Sequence, residues 1–182
     1  AGWAATNASG PAPLWVTSTT TPNTAPNDAF IDDPASISDK RLDTASFSVP
    51  ASSTAQVTFR NSYNLESSGG QFYDGGVLEV SSPNIAGGAF TDVTNVLVGG
   101  SFVSGGYSGT ISNSFASPIG GRPAWSGNSG GYVTTVANLG PNVAGQTIKL
   151  RFRMGSDNST AGTSWRVDTI QVTATSYTCC TG

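Results

Sequence analysis

The strongest constraint on the fold is an alternation of apolar and polar side chains in two long segments. The segment TIKLRFRM, residues 147–154, places Ile148, Leu150, Phe152 and Met154 at alternate positions. The segment AQVTFRNSYNL, residues 55–65, places Val57, Phe59 and Tyr63 on one face, with Asn61 as the polar exception, and Thr58, Arg60 and Ser62 on the other. Successive side chains of a strand point to opposite faces, so each segment predicts a strand with one buried and one solvated face.

Glycine-rich turns separate these segments from four weaker strand patterns, and no window carries a convincing helical period. The chain has 23 glycines, many of them in loop sequences such as SSGGQFYDGG and VGGSFVSGGYSG. Strands at this spacing, with no helices between them, indicate antiparallel pairing. The predicted fold class is therefore all-β, an antiparallel two-sheet β-sandwich of the jelly-roll type.

The length of 182 residues suits a single domain. We predict one jelly-roll module over residues 1–182, with a core of about residues 12–175 and with 176–182 as a tail or the start of a linker. Cys179 and Cys180 are neighbours in that tail. Their Cα atoms would lie about 3.8 Å apart, closer than the roughly 4.4–6.8 Å of an unstrained disulfide. We expect no structural disulfide within the domain, with a vicinal bridge or pairing to another chain as alternatives.

Composition limits the classes of function. Charged residues make up 10% of the chain, against about 25% in a typical soluble protein. Gly, Ser, Thr, Ala and Asn take their place, which is typical of an extracellular β-protein or of a chain kept soluble by hydroxyl and amide groups. The eight basic residues are scattered and the net charge is −3, so we predict no nucleic-acid binding. No segment approaches the roughly 20 apolar residues of a membrane span, so we predict no membrane insertion.

The residues that most enzymes use for proton transfer are scarce. The chain has no histidine, which excludes a Ser-His-Asp triad and any histidine metal site. Its only glutamates are Glu66, at a predicted strand end, and Glu79, within a strand. Two carboxylates can hydrolyse a glycoside, but we interpret these two as solvated or arginine-paired groups. The prediction is that the protein is not an enzyme.

Acidic residues concentrate in the segment NDAFIDDPASISDKRLDT, residues 27–44. It holds five of the 11 acidic residues, namely Asp28, Asp32, Asp33, Asp39 and Asp43. Crowded carboxylates need a counter-ion, and Ca²⁺ accepts six to eight hard oxygen ligands from carboxylates and loop carbonyls. The alternative is turn and capping chemistry, with Lys40 and Arg41 as the counter-charges.

One more carboxylate completes the predicted site. Asp168 in WRVDTIQV lies at the border of the apolar face of the last predicted strand, where an unpaired carboxylate would be costly. Arg166 is the competing partner. We predict a calcium site formed by Asp32, Asp33, Asp39 and Asp168.

Several aromatic residues flank the glycine-rich loops, namely Tyr73, Tyr107, Trp125 and Tyr132. Aromatic faces stack on the apolar faces of sugars, and loops at the end of a sandwich are natural binding sites. We predict Tyr73 and Trp125 as ligand-binding residues. The alternative is that these rings pack their loops onto the core.

Five motifs run in order along the chain: SDKRLDTASFSV, VTFRNSYNLES, YDGGVLEVS, GQTIKLRFRMGSD and SWRVDTIQV. Together they resemble the MAM-like, immune-inhibitor-A-like jelly-roll modules of secreted bacterial proteins, over roughly residues 12–175. The resemblance implies a two-sheet jelly roll, an accessory role in binding or spacing, and one structural calcium between an early loop and the last strand. Asp157 of GSD and Asp168 of the closing motif match acidic positions of that pattern. The loop after LEVS, SSPNIAGGAFTDV, differs from the DGG-plus-tryptophan loop of some relatives.

These observations predict a secreted or cell-surface module that is non-catalytic, stabilised by Ca²⁺, and active in binding or adhesion. The expected partner is a glycan or another cell-surface polymer. The alternative is a structural subunit or spacer of a cell-surface layer or filament, whose partner would be a second copy of the chain.

Overall fold

The computed structural model describes residues 2–177, which contain sixteen strands and two short 3-10 helices. The strands are β1 (Ala4–Ser9), β2 (Val16–Ser18), β3 (Asp28–Asp32), β4 (Ser38–Asp43), β5 (Phe47–Ser48), β6 (Ser53–Asn64), β7 (Ser67–Ser68), β8 (Gln71–Phe72), β9 (Gly75–Ser81), β10 (Thr91–Asp92), β11 (Ser101–Ser104), β12 (Gly109–Thr110), β13 (Pro123–Ala124), β14 (Val133–Asn138), β15 (Thr147–Ser156) and β16 (Ser164–Ser176). The 3-10 helices are Ala86–Gly88 and Pro141–Val143.

Two six-stranded sheets form the body of the molecule. The first has the order β1-β4-β15-β9-β10, with β5 also paired to β15, and the second has the order β11-β14-β6-β16-β3-β2. Every pairing within them is antiparallel. The chain crosses repeatedly from one sheet to the other. The predicted all-β, antiparallel two-sheet β-sandwich of the jelly-roll type is confirmed.

The two segments with the clearest alternation are central strands. Phe59 of β6 and Phe152 of β15 are both fully buried, and their rings meet edge-on with centroids 5.1 Å apart. Each such side chain removed from water stabilises the fold by about 1.5–3 kcal/mol. The opposite face of β15 carries Arg151 and Arg153, which are only partly buried. The period of two in the sequence therefore places the core between the sheets.

The outer face of the first sheet carries a line of ion pairs. Arg153 contacts Asp39 at 2.9 Å and Glu79 at 3.3 Å, and Arg122 contacts Glu79 at 2.6 Å. Arg151 contacts Asp43 at 2.7 Å. The interpretation of Glu79 as an arginine-paired group is confirmed.

Both ends of the β structure extend past the predicted core of residues 12–175. Strand β1 pairs with β4 from Ala4 onwards, and β16 continues to Ser176, after which the Tyr177 N–H donates to the Ser52 carbonyl. Most side chains of the edge strand β1 are exposed. The strand buries no apolar face, so its sequence needs no apolar alternation. Cys179 and Cys180 lie outside the described residues. Within residues 2–177, the helices are too short to cross a bilayer.

Candidate functional site

Four carboxylates meet at one end of the sandwich, and each lies just beyond the end of a strand. Asp33 follows β3, Glu66 follows β6, Asp74 precedes β9 and Asp157 follows β15. Strands β9 and β15 belong to the first sheet, and β3 and β6 to the second. Carboxylate oxygens of Glu66, Asp74 and Asp157 lie within 4.8 Å of one another, and Asp33 interacts directly with Asp74. We call these four residues the carboxylate cluster.

Backbone N–H groups hold one oxygen of each aspartate in the carboxylate cluster. Asp33 Oδ2 accepts from the Glu66 N–H at 3.1 Å and from the Gly162 N–H at 2.9 Å. Asp74 Oδ1 accepts from the Asp157 N–H at 2.6 Å, and Asp157 Oδ1 accepts from the Ser159 N–H at 2.8 Å. These bonds fix the orientation of the carboxylates relative to the loops that carry them.

Glycine is required where the loop after β15 approaches Asp33. A Cβ atom at Gly162 would lie 2.5 Å from Asp33 Oδ2 and 2.5 Å from the Asn64 carbonyl oxygen. Any side chain there would push the backbone donor away from the carboxylate. The close approach of the loop to Asp33 therefore depends on this residue.

Three other oxygens of the carboxylate cluster are buried without a partner. Asp33 Oδ1, Glu66 Oε2 and Asp74 Oδ2 make no hydrogen bond within the described residues, although each atom is shielded from solvent. None of the four carboxylates forms an ion pair with a basic residue in residues 2–177. Buried anions without a counter-charge are strongly disfavoured, so the arrangement calls for a cation or for bound protons.

The same geometry raises the pKa values of three carboxyl groups in the cluster. Burial, together with the close approach and negative charge of Asp33, raises the pKa of Asp74 to about 10. Burial also raises the pKa of Asp33. Burial raises the pKa of Glu66, and the charges of Asp157 and Asp33 add to the effect. Without a cation, Asp74 therefore retains a proton at neutral pH.

The structure brings only one residue of the predicted calcium set into the carboxylate cluster, namely Asp33. Asp32 is its chain neighbour at the end of β3, and the Asp32 Oδ1 atom is buried without a partner. Asp39 is instead held by two guanidinium groups, with 2.6 Å to Arg41 and 2.9 Å to Arg153. These ion pairs already neutralise Asp39, so it needs no metal.

Asp168 also differs from its predicted role. Its Oδ2 accepts from the Thr24 N–H at 2.7 Å and its Oδ1 from the Thr169 N–H at 2.5 Å. It lies on β16 in the second sheet, whereas Asp39 lies on β4 in the first. The predicted cage of Asp32, Asp33, Asp39 and Asp168 is therefore corrected, because neighbouring donors satisfy Asp39 and Asp168 separately.

Sequence reasoning did not assign Glu66 or Asp74 to a metal site and reached Asp157 only through the resemblance. These residues form no acidic run, so their local sequence carries no charge signal. Their common feature is position, since each lies one or two residues beyond a strand end. A search of the sequence for carboxylates next to predicted strand ends could therefore have found them.

An aromatic pair borders the carboxylate cluster. The rings of Tyr73 and Phe115 meet edge-on with centroids 5.4 Å apart, and Phe115 is 41% exposed. Together with Glu66, Asp157, Ser68 and Ser159, they line a pocket of about 210 Å³. The structure therefore places the predicted ligand-binding residue Tyr73 at the mouth of a pocket, half-buried beside the carboxylates.

Trp125 is not available to a surface ligand. It is fully buried, and its ring packs edge-on against Phe59 at 5.6 Å and Tyr107 at 4.8 Å. Its indole N–H donates to the Gly105 carbonyl at 2.9 Å. A β-bridge between Gly76 and Trp125 turns the ring inwards. The prediction of Trp125 as a ligand-binding residue is corrected to a core position.

Comparison with known proteins gives a likeness of fold. No protein-family model matches the chain, and no curated protein matches its sequence, so the resemblance to MAM-like modules stays a prediction. One similar solved structure comes from work on the promiscuous specificity of carbohydrate-binding modules of the β-sandwich superfamily, with a TM-score of 0.50 and 10% identity. The match covers 94% of this chain and 57% of that chain. This chain thus shares its β-sandwich fold with a longer chain of that kind.

Proposed function

We propose that the protein is a non-catalytic carbohydrate-binding module, stabilised by one calcium ion, that acts outside the cell or at its surface. The observation that carries the proposal is the pocket in which the Tyr73–Phe115 pair adjoins the carboxylate cluster. The likeness of fold to a chain described as a carbohydrate-binding module supports the class of ligand.

The carboxylate cluster fits a calcium ion. Ca²⁺ prefers six to eight hard oxygen ligands, and the unpartnered oxygens of Asp33, Glu66 and Asp74 are of that kind. Asp157 supplies a fourth carboxylate. Loop carbonyls or water would complete the shell. Bound there, the ion would neutralise the buried charge and tie together strand ends from both sheets.

The pocket offers the contacts that a sugar ring requires. Its aromatic side can pack against the C–H face of a sugar, and its carboxylate and serine oxygens can bond to hydroxyl groups. The carboxylates are assigned to ion and hydroxyl binding, and none is assigned to proton transfer. Extracellular modules bind calcium with a Kd of about 10⁻⁴ to 10⁻³ M, and such a site suits the proposed location.

The first test is the loss of affinity in Tyr73→Ala. After a glycan array has identified a ligand, isothermal titration should show binding weaker by about 1–3 kcal/mol, the scale of a well-packed aromatic contact. Tyr177→Ala is the matched control, because Tyr177 is 58% exposed and follows the opposite end of β16. Its affinity should equal that of the wild type.

Two other outcomes would contradict the proposal. If Tyr73→Ala lowers the melting temperature and leaves affinity unchanged, the ring only packs its loop. If no glycan binds and negative-stain images show polymers, the protein is a structural subunit of a layer or filament.

A second prediction concerns pH. In EDTA, the free energy of unfolding should fall as pH rises between about 5 and 9, because folded Asp74 keeps a proton that the unfolded chain has lost. The folded pKa is raised from 3.8 to about 10, so the stabilisation by that proton is complete below 3.8 and is lost on the way to 10. Urea unfolding at several pH values measures the slope.

Calcium should abolish this slope, because the ion replaces the proton in the carboxylate cluster. Asp74→Asn should also flatten it in EDTA, since the amide does not titrate. A slope in EDTA that is unchanged in Asp74→Asn would show that another group titrates.

A further inference from the structure

A second cavity, of about 430 Å³, opens between the two sheets at one edge of the sandwich. Residues of β1 and β4 line one side, and residues of β2, β3 and β16 line the other. We call it the edge cleft, and its lining residues include Trp3, Trp15, Val16 and Asp168. Its volume falls within the range of about 300–1,000 Å³ that is usual for small-molecule sites.

Trp15, which lines the edge cleft, carries a buried hydrogen-bond donor without an acceptor. Trp15 is only 4% exposed, and its Nε1 makes no hydrogen bond within the described residues. The other buried tryptophans are satisfied, since Trp125 donates to the Gly105 carbonyl and Trp165 to Asn61 Oδ1. A buried donor left unpaired costs about 1–3 kcal/mol. An oxygen bound in the cleft would remove that cost.

An acceptor lies on the wall of the same cleft. Asp168 lines it, and each of its carboxylate oxygens can accept more than one hydrogen bond. One oxygen takes the Thr24 N–H and the other takes the Thr169 N–H and hydroxyl. These bonds fix the carboxylate while leaving capacity for a ligand hydroxyl.

The mouth of the edge cleft is apolar and exposed. Trp3 is 47% exposed and Val16 is 45% exposed. An indole is the largest flat surface that a side chain can offer, and it packs well on the C–H face of a sugar. Trp15 with its donor, Asp168 with its acceptor and Trp3 with its flat ring thus line one cavity.

The backbone next to Asp168 has a positive φ angle and a β-bulge. Thr169 has a φ of 51°, which is rare for a β-branched residue. It lies in the bulge where the pairing of β16 with β6 shifts between Asp168 and Gln171. Bulges and strained residues occur preferentially at functional sites, where they direct a side chain.

We propose that the edge cleft is a second carbohydrate site, which binds a neutral sugar ring. The ring would stack on Trp3, accept the Trp15 N–H with one oxygen, and donate a hydroxyl to Asp168. A neutral sugar is favoured over an acidic one, because Asp28 and Asp168 both line the cleft and Arg166 is already paired with Asp28 at 2.8 Å. The class of ligand rests on the proposed function. The site itself needs no calcium.

The indole N–H signals provide a direct test by NMR. The protein is titrated in EDTA with cellohexaose, xylohexaose and mannohexaose, and the indole signals are assigned from single Trp→Phe variants. At least one of these sugars should shift the signals of Trp3 and Trp15 and leave those of Trp125 and Trp165 in place. Trp15→Phe keeps a ring but loses the donor, and should weaken binding about tenfold. Trp3→Ala should abolish it, whereas Trp3→Phe should retain it.

Tyr73→Ala separates this inference from the proposed function. Binding that Trp15→Phe weakens and Tyr73→Ala leaves unchanged supports the edge cleft. Binding that only Tyr73→Ala weakens supports the first pocket and overturns the edge cleft. No indole shift with any of the three sugars also overturns the edge cleft, and a glycan array with no bound ligand overturns both proposals.

Discussion

In calcium at a hundredfold excess over its Kd, the protein should melt about 5–10 °C higher than in EDTA. Binding to the folded state alone stabilises it by about 2.7 kcal/mol at that excess, and 1 kcal/mol shifts the melting temperature of a domain of this size by about 2–4 °C. The physical reason is the carboxylate cluster, in which one oxygen each of Asp33, Glu66 and Asp74 is buried without a hydrogen-bond partner and with which no basic residue of the described chain forms an ion pair. Differential scanning calorimetry measures the shift directly.

A pair of variants shows where the ion binds. Asp74→Asn should lose the calcium response. At neutral pH in EDTA it should melt above the wild type, because the amide is neutral without taking up the proton that folded Asp74 retains. Asp168→Asn is the matched control, since Asp168 is bonded to Thr24 and Thr169 outside the cluster. It should melt lower in both conditions and keep the response.

Two results would count against the carboxylate cluster as the calcium site. A response lost in Asp168→Asn and kept in Asp74→Asn would favour the site predicted from the sequence. An unchanged melting temperature in EDTA, with no metal found by elemental analysis, would mean that shared protons neutralise the cluster.

The fold could be predicted because the apolar–polar alternation of its central strands is a local sequence pattern. Alternation in residues 55–65 and 147–154 depends only on the period of a strand, and both segments are central strands with a buried face. The edge strand β1 was missed for the opposite reason. Its side chains are mostly exposed, and it is held by backbone pairing with β4, which the sequence pattern does not record.

The carboxylate cluster was only partly predictable, because its members are distant in the chain. Asp33 and Asp157 are separated by most of the domain, and they meet only because β3 and β15 end on the same side of the sandwich. Asp39 looked equally suitable as a ligand. The register of β4 and β15 places Arg153 within 2.9 Å of it, and no local window shows that register.

The two predicted aromatic residues show how little a loop sequence determines orientation. Tyr73 and Trp125 both flank glycine-rich segments. Trp125 is bridged to Gly76 and faces the core, whereas Tyr73 remains at a pocket. The contacts that separate the buried ring from the accessible one are long-range, and the loop sequence does not record them.

The second large effect is therefore expected from Trp125→Ala. Removal of a buried tryptophan costs about 3–5 kcal/mol, which corresponds to a fall of about 6–20 °C in melting temperature. The ring lies at the centre of an aromatic group, with centroid distances of 4.8 Å to Tyr107, 5.5 Å to Phe102 and 5.9 Å to Trp165. Chemical unfolding with urea gives the loss in free energy.

Trp125→Phe separates packing from hydrogen bonding. The Gly105 carbonyl also accepts from Thr135 Oγ1 at 2.9 Å, so loss of the indole N–H leaves that oxygen with a partner. The loss should therefore be smaller than in Trp125→Ala and should reflect the missing ring volume alone. Tyr73→Ala should show the opposite pattern, with glycan affinity reduced and stability little changed. If Trp125→Ala instead keeps its stability and loses glycan affinity, the ring is accessible to ligand and Trp125 is a binding residue.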